Sequence, residues 1–307
     1  MLGVTGADGF VGSALCEEAV RRGVAVVPIT RRGGKGARPM GDLESPQFGP
    51  ELFAGIETLV HCAAMVHVMD ADDATDLAAF RRVNRDGTLA LAHAALAAGV
   101  RRFIFISTVK VLGERSHGRP FAHDDPLAPG DPYSTSKAEA ELALRDLVLG
   151  TSMEVVIVRP PLVHGPGAGG NLAVLLKLLR LRIPLPLAAI RNSRAVLGIE
   201  NFVDALLRAA VAPGAAGQVL MLRDEPTLST AEIVRALGEG AGIQPLLWSL
   251  PEQWIRRVAG VLGREAYAAR VLDSLDVSLE HTTAVTGWVP RLSAQDGLRR
   301  VARSRGE

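Results

Sequence analysis

Tyr133 and Lys137 stand four positions apart in the run Pro132-Tyr133-Ser134-Thr135-Ser136-Lys137. On a helix that spacing puts both side chains on one face. An ammonium beside a phenol stabilises the phenolate and draws its pKa down from about 10. Such a tyrosine can give or take the proton of a hydroxyl whose carbon gains or loses hydride. The plain alternative is an exposed tyrosine and a solvated lysine at a helix start. A third group weighs against it. Ser107 and Thr108 follow the apolar run Phe103-Ile104-Phe105-Ile106, and the carboxyl edge of such a strand is where open α/β sheets hold ligands. A hydroxyl there can orient a reacting carbonyl, or it can simply cap the strand end.

A second constellation lies near the start, in Thr5-Gly6-Ala7-Asp8-Gly9-Phe10-Val11-Gly12. Gly6 permits a tight turn, Gly9 lets a pyrophosphate approach the backbone, and Gly12 lets helix and strand pack closely. The helix opening here offers free N–H groups and a partial positive charge, and Phe10 and Val11 complete the cradle in its first turn. The next apolar run ends in Thr30-Arg31-Arg32. No acid is present for a ribose 2′-hydroxyl, whereas Arg31 and Arg32 suit a 2′-phosphate. NADP is therefore favoured over NAD, the alternative being a solvated basic loop with Lys35 and Arg38. Asp42, followed by Leu43, is a candidate acceptor for the adenine amine, or a turn residue.

These groups need a scaffold. Short, continuously apolar runs at 2–4, 25–29, 58–61, 103–107 and 155–159 alternate with helical stretches at 9–22, 74–98, 134–150 and 171–181. That alternation predicts an α/β fold, a doubly wound parallel sheet covered on both faces. The first run is short and contains Gly3, which reads as a start a few residues late or a frayed edge. After Pro160, Pro and Gly become frequent, and helices dominate from Asn201 onward. Residues 1–165 are expected to bind the dinucleotide, with a return strand near 196–222. Residues 166–307 are expected to form a smaller, mostly helical substrate lobe.

Composition narrows the partners. The chain has 307 residues, 48% hydrophobic and 22% charged, with a net charge of +1. Nothing in that balance points to nucleic acid. Cys16 and Cys62 form no cluster of metal-ligand spacing, so two buried free thiols and no metal are expected. The start lacks the basic and apolar pattern of a signal peptide, and the apolar stretch 171–190 is broken by Lys177, Arg180, Arg182, Pro184 and Pro186. A cytoplasmic protein without membrane insertion is the expectation.

At these motifs the chain resembles the extended short-chain dehydrogenase/reductase family, in its nucleotide-sugar epimerase, dehydratase and reductase branch. The likeness runs over nearly the whole chain. Thr5 to Gly12 is similar to that family's TGxxGxxG turn. Val60-His61-Cys62-Ala63-Ala64 is similar to its HxAA segment, which implies that Cys62, Ala63 and Ala64 line the cofactor. Val83-Asn84 with Gly87-Thr88 resembles VNxxGT, which supports the central helix. Ser107 to Gly113 resembles S-[ST]-x-x-V-Y-G, which places the catalytic hydroxyl on Thr108. Tyr133 and Lys137 match the catalytic pair, which also touches the cofactor. Arg159 to Gly167 resembles the segment leading from cofactor to sugar, with Pro160 at the cofactor. Arg194 to Asp204 resembles R-x-x-x-x-V-x-D-x-x-D, whose arginine grips the substrate pyrophosphate. Asn171 is similar to a substrate-contacting asparagine and Arg270 to a second phosphate arginine; a surface residue is the even alternative for both.

Departures sharpen the implication. Leu112 replaces the usual aromatic of V-Y-G. The family's 4,6-dehydratases carry Asp-Glu after the catalytic hydroxyl, where this chain has Val109-Lys110. The cysteine of the fucose-synthase type is also missing. What remains is a 4-keto reductase or a 4-epimerase, with Thr108 and Tyr133 on the sugar. Gly167 to Asn171, Arg191 to Arg194 and Gly287-Trp288-Val289-Pro290 resemble bacterial reductases of UDP-4-keto-6-deoxy-N-acetylhexosamine. The leading expectation is thus a reductase of a UDP-sugar. A UDP-hexose 4-epimerase holding NAD tightly is the runner-up, and a non-catalytic dinucleotide sensor is the reading from another class. The Ala- and Leu-rich faces of 74–98 and 134–150 suggest a homodimer.

Overall fold

The computed structural model describes residues 1–34, 36–66, 76–166 and 171–304, the side chain of Asn171 excepted. β1 (Leu2–Thr5) leads through a turn at Gly6 into α1 (Phe10–Arg21). β2 (Val26–Thr30) pairs with one side of β1, and the two-residue β3 (Arg38–Pro39) pairs with β2. The chain then crosses over. β4 (Thr58–His61) pairs with the other side of β1, and β5 (Arg102–Ile106) and β6 (Glu154–Arg159) follow. β7 (Leu162–His164) and β8 (Val196–Gly198) form a small sheet of their own. β9 (Val219–Met221) returns beside β6. All seven strands of the main sheet run parallel, in the order β3-β2-β1-β4-β5-β6-β9. The strand order reverses between β1 and β4, so a crevice opens at their carboxyl ends.

Side chains alternate across this sheet and are buried on both faces. Leu59, Phe103, Phe105, Val155 and Ile157 pack on one side against α3 (Thr88–Ala97) and α4 (Pro132–Leu147). Val4, Val60, Ile104, Val156 and Val158 pack on the other against α1 and α6 (Ile199–Val211). Each fully buried phenylalanine here contributes about 1.5–3 kcal/mol. A third cluster joins α5 (Asn171–Arg180), α7 (Thr230–Ala241), α11 (Ala294–Ser304) and Val196 of β8. The C-terminal part of the chain also carries α8 (Glu252–Val261), α9 (Glu265–Leu272) and α10 (Glu280–Thr286).

Several boundaries differ from the sequence reading. The helix expected over 74–98 is described from α2 (Leu77–Phe80) onward, residues 74 and 75 lying outside the described residues. Between α2 and α3, Arg81–Gly87 winds as a π-helix. Two contacts accompany the widened turn. Asn84 turns to the backbone of Met65, and a Cβ on Gly87 would collide with the Leu43 carbonyl. α4 starts two residues before the expected 134 because Asp131 caps it: its carboxylate accepts from Ser134 N at 2.6 Å, and Ser134 Oγ accepts from Asp131 N at 3.1 Å. Pro132 fits the first helical position, where no N–H is needed. β3 had no apolar signal of its own.

Candidate active site

The glycine turn is built for close approach. Gly6 takes φ +62°, and a Cβ there would sit 2.8 Å from Ala63 N across the crevice. Gly9 N donates to Gly6 O at 2.9 Å and closes the bend. A Cβ on Gly12 would overlap the Gly6 carbonyl, so α1 can lie against β1 only with glycine at that position. Gly9 is the N-cap of α1 and no side chain caps the helix. The first backbone N–H groups therefore remain available to an anion. Phe10 and Val11 turn toward the core beside Ala7 and Cys62. A cleft of about 860 Å³ runs from Gly6 and Gly9 past Arg31 and Asp42 to Ala63 and Val83. This cradle fits a dinucleotide, with diphosphate over the bare backbone and adenosine toward the end of β2.

The far end of the cleft is mixed in charge. Arg31 and Arg32 are exposed on its rim. The Arg31 guanidinium lies 3.9 Å from the Asp42 carboxylate, and Arg32 has no ion-pair partner among the described residues. Thr30 Oγ1 accepts from Gly33 N at 3.0 Å and turns the chain there. Leu43 is buried beneath the cleft floor. On the opposite wall, Cys62, Ala63 and Ala64 follow β4. Burial, and then the neighbouring Cys16, push the Cys62 thiol up, so it stays protonated and unreactive.

A buried polar frame fixes this wall. His61 Nδ1 lies 2.7 Å from Thr5 Oγ1, and Nε2 lies 3.0 Å from Thr88 Oγ1. Burial, and then the positive charge of Lys137, push the imidazole down to about 3, so it stays neutral. Asn84 Oδ1 accepts from Met65 N at 2.8 Å, and its Nδ2 donates to Met65 O at 3.0 Å and Ser136 Oγ at 3.1 Å. Ser136 Oγ donates in turn to Tyr133 O at 2.7 Å. The cofactor wall and the Tyr133 backbone are thus joined through one amide.

Thr108 follows the carboxyl end of β5, Lys137 reaches that end from α4, and Tyr133 stands one turn before Lys137 on the same helix. Thr108 caps the short 3₁₀ turn Val109–Leu112, its Oγ1 accepting from Lys110 N at 3.3 Å. The neighbouring Ser107 Oγ is buried with no hydrogen-bond partner. Tyr133 stands in the first turn of α4, edge-on to Phe80 with ring centroids 6.1 Å apart. Lys137 Nζ donates to Ile106 O at 2.8 Å and lies 4.5 Å from the centre of the Phe105 ring. Burial draws this ammonium down to about 7, against the opposing pull of Glu141. The phenol does not follow the simple expectation. Burial first, and the Asp131 carboxylate second, hold Tyr133 above its usual range. Lys137 itself donates to a backbone carbonyl, and Asp131 sits two residues before the phenol. Pro160 O accepts from Val109 N at 3.0 Å and joins the end of β6 to this edge.

Three partners were not singled out from sequence. Lys110 Nζ bonds Glu114 at 2.9 Å and Asp131 at 2.8 Å, so the cation standing where dehydratases have an acid is already neutralised. Glu141, one turn after Lys137, forms a buried pair with Arg159, Nη2 to Oε2 at 2.6 Å. The Asp-x-x-Ser cap ahead of Tyr133 and the four-residue spacing of Lys137 and Glu141 were the available signals.

Arg194 Nη1 donates to Asp273 O at 3.1 Å. Burial pulls its pKa down, while the nearby Asp273 and Glu114 oppose this. Arg270 lies three residues before Asp273. It is exposed on α9, 5.8 Å from the Tyr267 ring centre. The Asn171 side chain lies outside the described residues. Among the described residues no three His, Cys, Asp or Glu side chains converge as metal ligands.

Residues 2–220 match the NAD dependent epimerase/dehydratase family. A UDP-glucose 4-epimerase of Vibrio cholerae is 37% identical over 310 residues, spanning 98% of this chain and 94% of that protein. The UDP-glucose 4-epimerase of Thermus thermophilus, solved in complex with NAD, superposes with a TM-score of 0.77 at 22% identity, over 99% of each chain. That of Thermotoga maritima, solved with UDP-glucose, gives a TM-score of 0.78 at 19% identity, over 99% of this chain and 98% of the other. Those two structures speak for the fold, and the first relative and the family match speak for descent. The chain belongs to the NAD dependent epimerase/dehydratase family of enzymes, whose cofactor the bare-backbone cradle at Gly6 and Gly9 fits.

Proposed function

We propose that the protein is an NADPH-dependent reductase of a UDP-4-keto-6-deoxy-hexosamine, acting at the sugar 4-position. The observation that supports it most is Lys137 reaching the end of β5, next to Thr108, from the helix that also carries Tyr133, in a chain whose glycine-lined cleft has Arg31 and Arg32 on its rim. When bound, the dinucleotide supplies hydride to the sugar carbon. Tyr133, held in its acid form, gives its proton to the carbonyl oxygen as that oxygen gains charge. Thr108 hydrogen-bonds the same oxygen and orients it. Lys137 stabilises the phenolate left behind and relays a proton back to it from solvent. Arg194, with Asn171 as a second contact, binds the substrate diphosphate. Residues 1–165, with β9, hold the dinucleotide, and residues 166–307 hold the sugar nucleotide. In this reading the enzyme is cytoplasmic and homodimeric, pairing through the outer faces of α3 and α4; Leu142 on α4 and Leu149 just past its end are exposed.

NADPH mixed with enzyme and a UDP-4-keto-6-deoxy-hexosamine should lose absorbance at the nicotinamide band. A Tyr133→Phe variant should slow this by about 10²-fold or more with cofactor affinity unchanged. No consumption with any 4-keto nucleotide sugar would sink the reading, and unchanged turnover in the variant would favour a dinucleotide sensor.

A second reading, UDP-hexose 4-epimerase with resident NAD, is favoured by the Vibrio cholerae relative and by the Arg31–Asp42 pair, which occupies one of the two guanidinium groups. It expects NAD to co-purify and UDP-glucose to interconvert with UDP-galactose without added cofactor.

A further inference from the structure

We propose that the outer face of the substrate lobe docks on an anionic lipid surface. The face is built from two stretches of chain, 171–192 and 243–272. Backbone bonds join them: Leu185 N donates to Leu246 O at 2.8 Å, and Trp248 N donates to Leu185 O at 3.1 Å. α8 follows directly. It rests on the lobe through Ile255, and none of its residues is fully buried. Its opposite side carries Trp254, Val258, Val261 and, one position on, Leu262, all exposed; Val261 is 84% accessible. Positions 254, 258 and 261 share one helical face. Trp248, Leu181 and Ile183 extend the same surface.

The charge on this surface is what identifies its partner. The two stretches hold eight Lys or Arg and two Glu, a net +6 in a chain whose total is +1, and Asp273, which pairs with Arg256 just beyond them, offsets one of these charges. The remainder of the protein is therefore at −5. Arg257 lies 5.7 Å from the Trp254 ring centre, and Arg264 lies 5.3 Å from that of Tyr267. Neither is ion-paired to a carboxylate among the described residues. Such arginines are placed to meet an anion beside an apolar stripe. A helix with a tryptophan-bearing apolar face flanked by arginines lies in the plane of a bilayer surface, its apolar side in the headgroup boundary. A second copy of this chain would bring the same net positive charge against itself. α8 has ten residues, and no described helix is long and apolar enough to cross a membrane, so the contact is peripheral.

The test is flotation of the full chain with vesicles of phosphatidylcholine alone, and of phosphatidylcholine with phosphatidylglycerol. Binding is expected only to the anionic vesicles, with loss at high salt and a blue shift of the exposed Trp248 and Trp254 emission. Trp254→Ser with Val261→Ser should weaken partitioning at least about tenfold. Arg257→Ser and Arg264→Ser should weaken it about fivefold each. All four positions lie outside the proposed catalytic groups, so turnover in solution should be unchanged. Failure to float with anionic vesicles would overturn the proposal, as would equal flotation of the Trp254→Ser, Val261→Ser variant. A dimer in light scattering that this variant converts to monomer, without flotation of the parent, would assign the face to contact between copies instead.

Discussion

Lys137 carries a charge into the protein interior. It is 2% exposed, and its ammonium meets the Ile106 carbonyl at 2.8 Å and the Phe105 face at 4.5 Å. Burial draws it from the ordinary 10.5 to about 7. Between those values the unfolded chain holds a proton that the folded chain has released, so stability rises with pH across that window. Below about pH 7 both states carry the proton, and the whole cost of burying it stands. At about 1.4 kcal/mol for each tenfold, that cost has an upper bound of about 5 kcal/mol. Lys137→Met keeps the length of the side chain and removes the charge. It also takes a donor from Ile106 O, at about 1–3 kcal/mol. The variant should therefore be more stable than the parent at pH 6 by about 2–4 kcal/mol, and the gap should close and reverse by about pH 10, where only the lost Ile106 contact remains. Urea unfolding at stepped pH measures both numbers. Turnover in the same variant should fall by about 10²-fold or more. A variant less stable than the parent at pH 6, or a gap that does not narrow with pH, would show that the buried ammonium is not under strain.

Three further outcomes follow from the geometry. Gly12→Ala drives a methyl into the Gly6 carbonyl, backbone against backbone, and should cost about 1–3 kcal/mol in thermal unfolding along with most of the dinucleotide affinity in calorimetry. Glu141→Gln leaves the Arg159 guanidinium buried and unneutralised and should cost about 3–5 kcal/mol. The apolar double replacement Glu141→Leu, Arg159→Met should recover most of that in the same urea assay. Arg32→Ala should weaken NADPH binding about tenfold while sparing NADH in fluorescence titration; equal loss of both would count against a 2′-phosphate site.

The sheet was legible because its strands are buried on both faces and read as unbroken apolar runs. Leu2–Thr5, Thr58–His61 and Arg102–Ile106 fall within a residue or two of the sequence reading. β3 was not legible, since two residues ending in proline carry no period. β9 was expected only as a strand that could return, and its place beside β6 depends on long-range pairing. Near the end of β5, the spacing placed Tyr133 and Lys137 on one helix and Thr108 after a strand, because a helix face and a strand end are local properties. The state of those groups was not local. The upward shift of Tyr133 comes from burial and from Asp131 in the cap, and the Lys137 contact is with a neighbouring strand. Arg194 was found through a motif, whereas the exposure of Arg270 depends on how α9 packs.

The outer strand β3 has a consequence for how copies of this chain can meet. It is two residues long, and the second is a proline with no N–H to offer. The Arg38 guanidinium folds inward onto the carbonyls of Leu52 at 2.9 Å and Ala54 at 3.0 Å, covering the flank. A neighbouring chain finds almost no ladder to extend on this margin. The protein is thereby guarded from growing edge-to-edge into fibrils on that side, and any stable pairing there has to use helix surfaces instead.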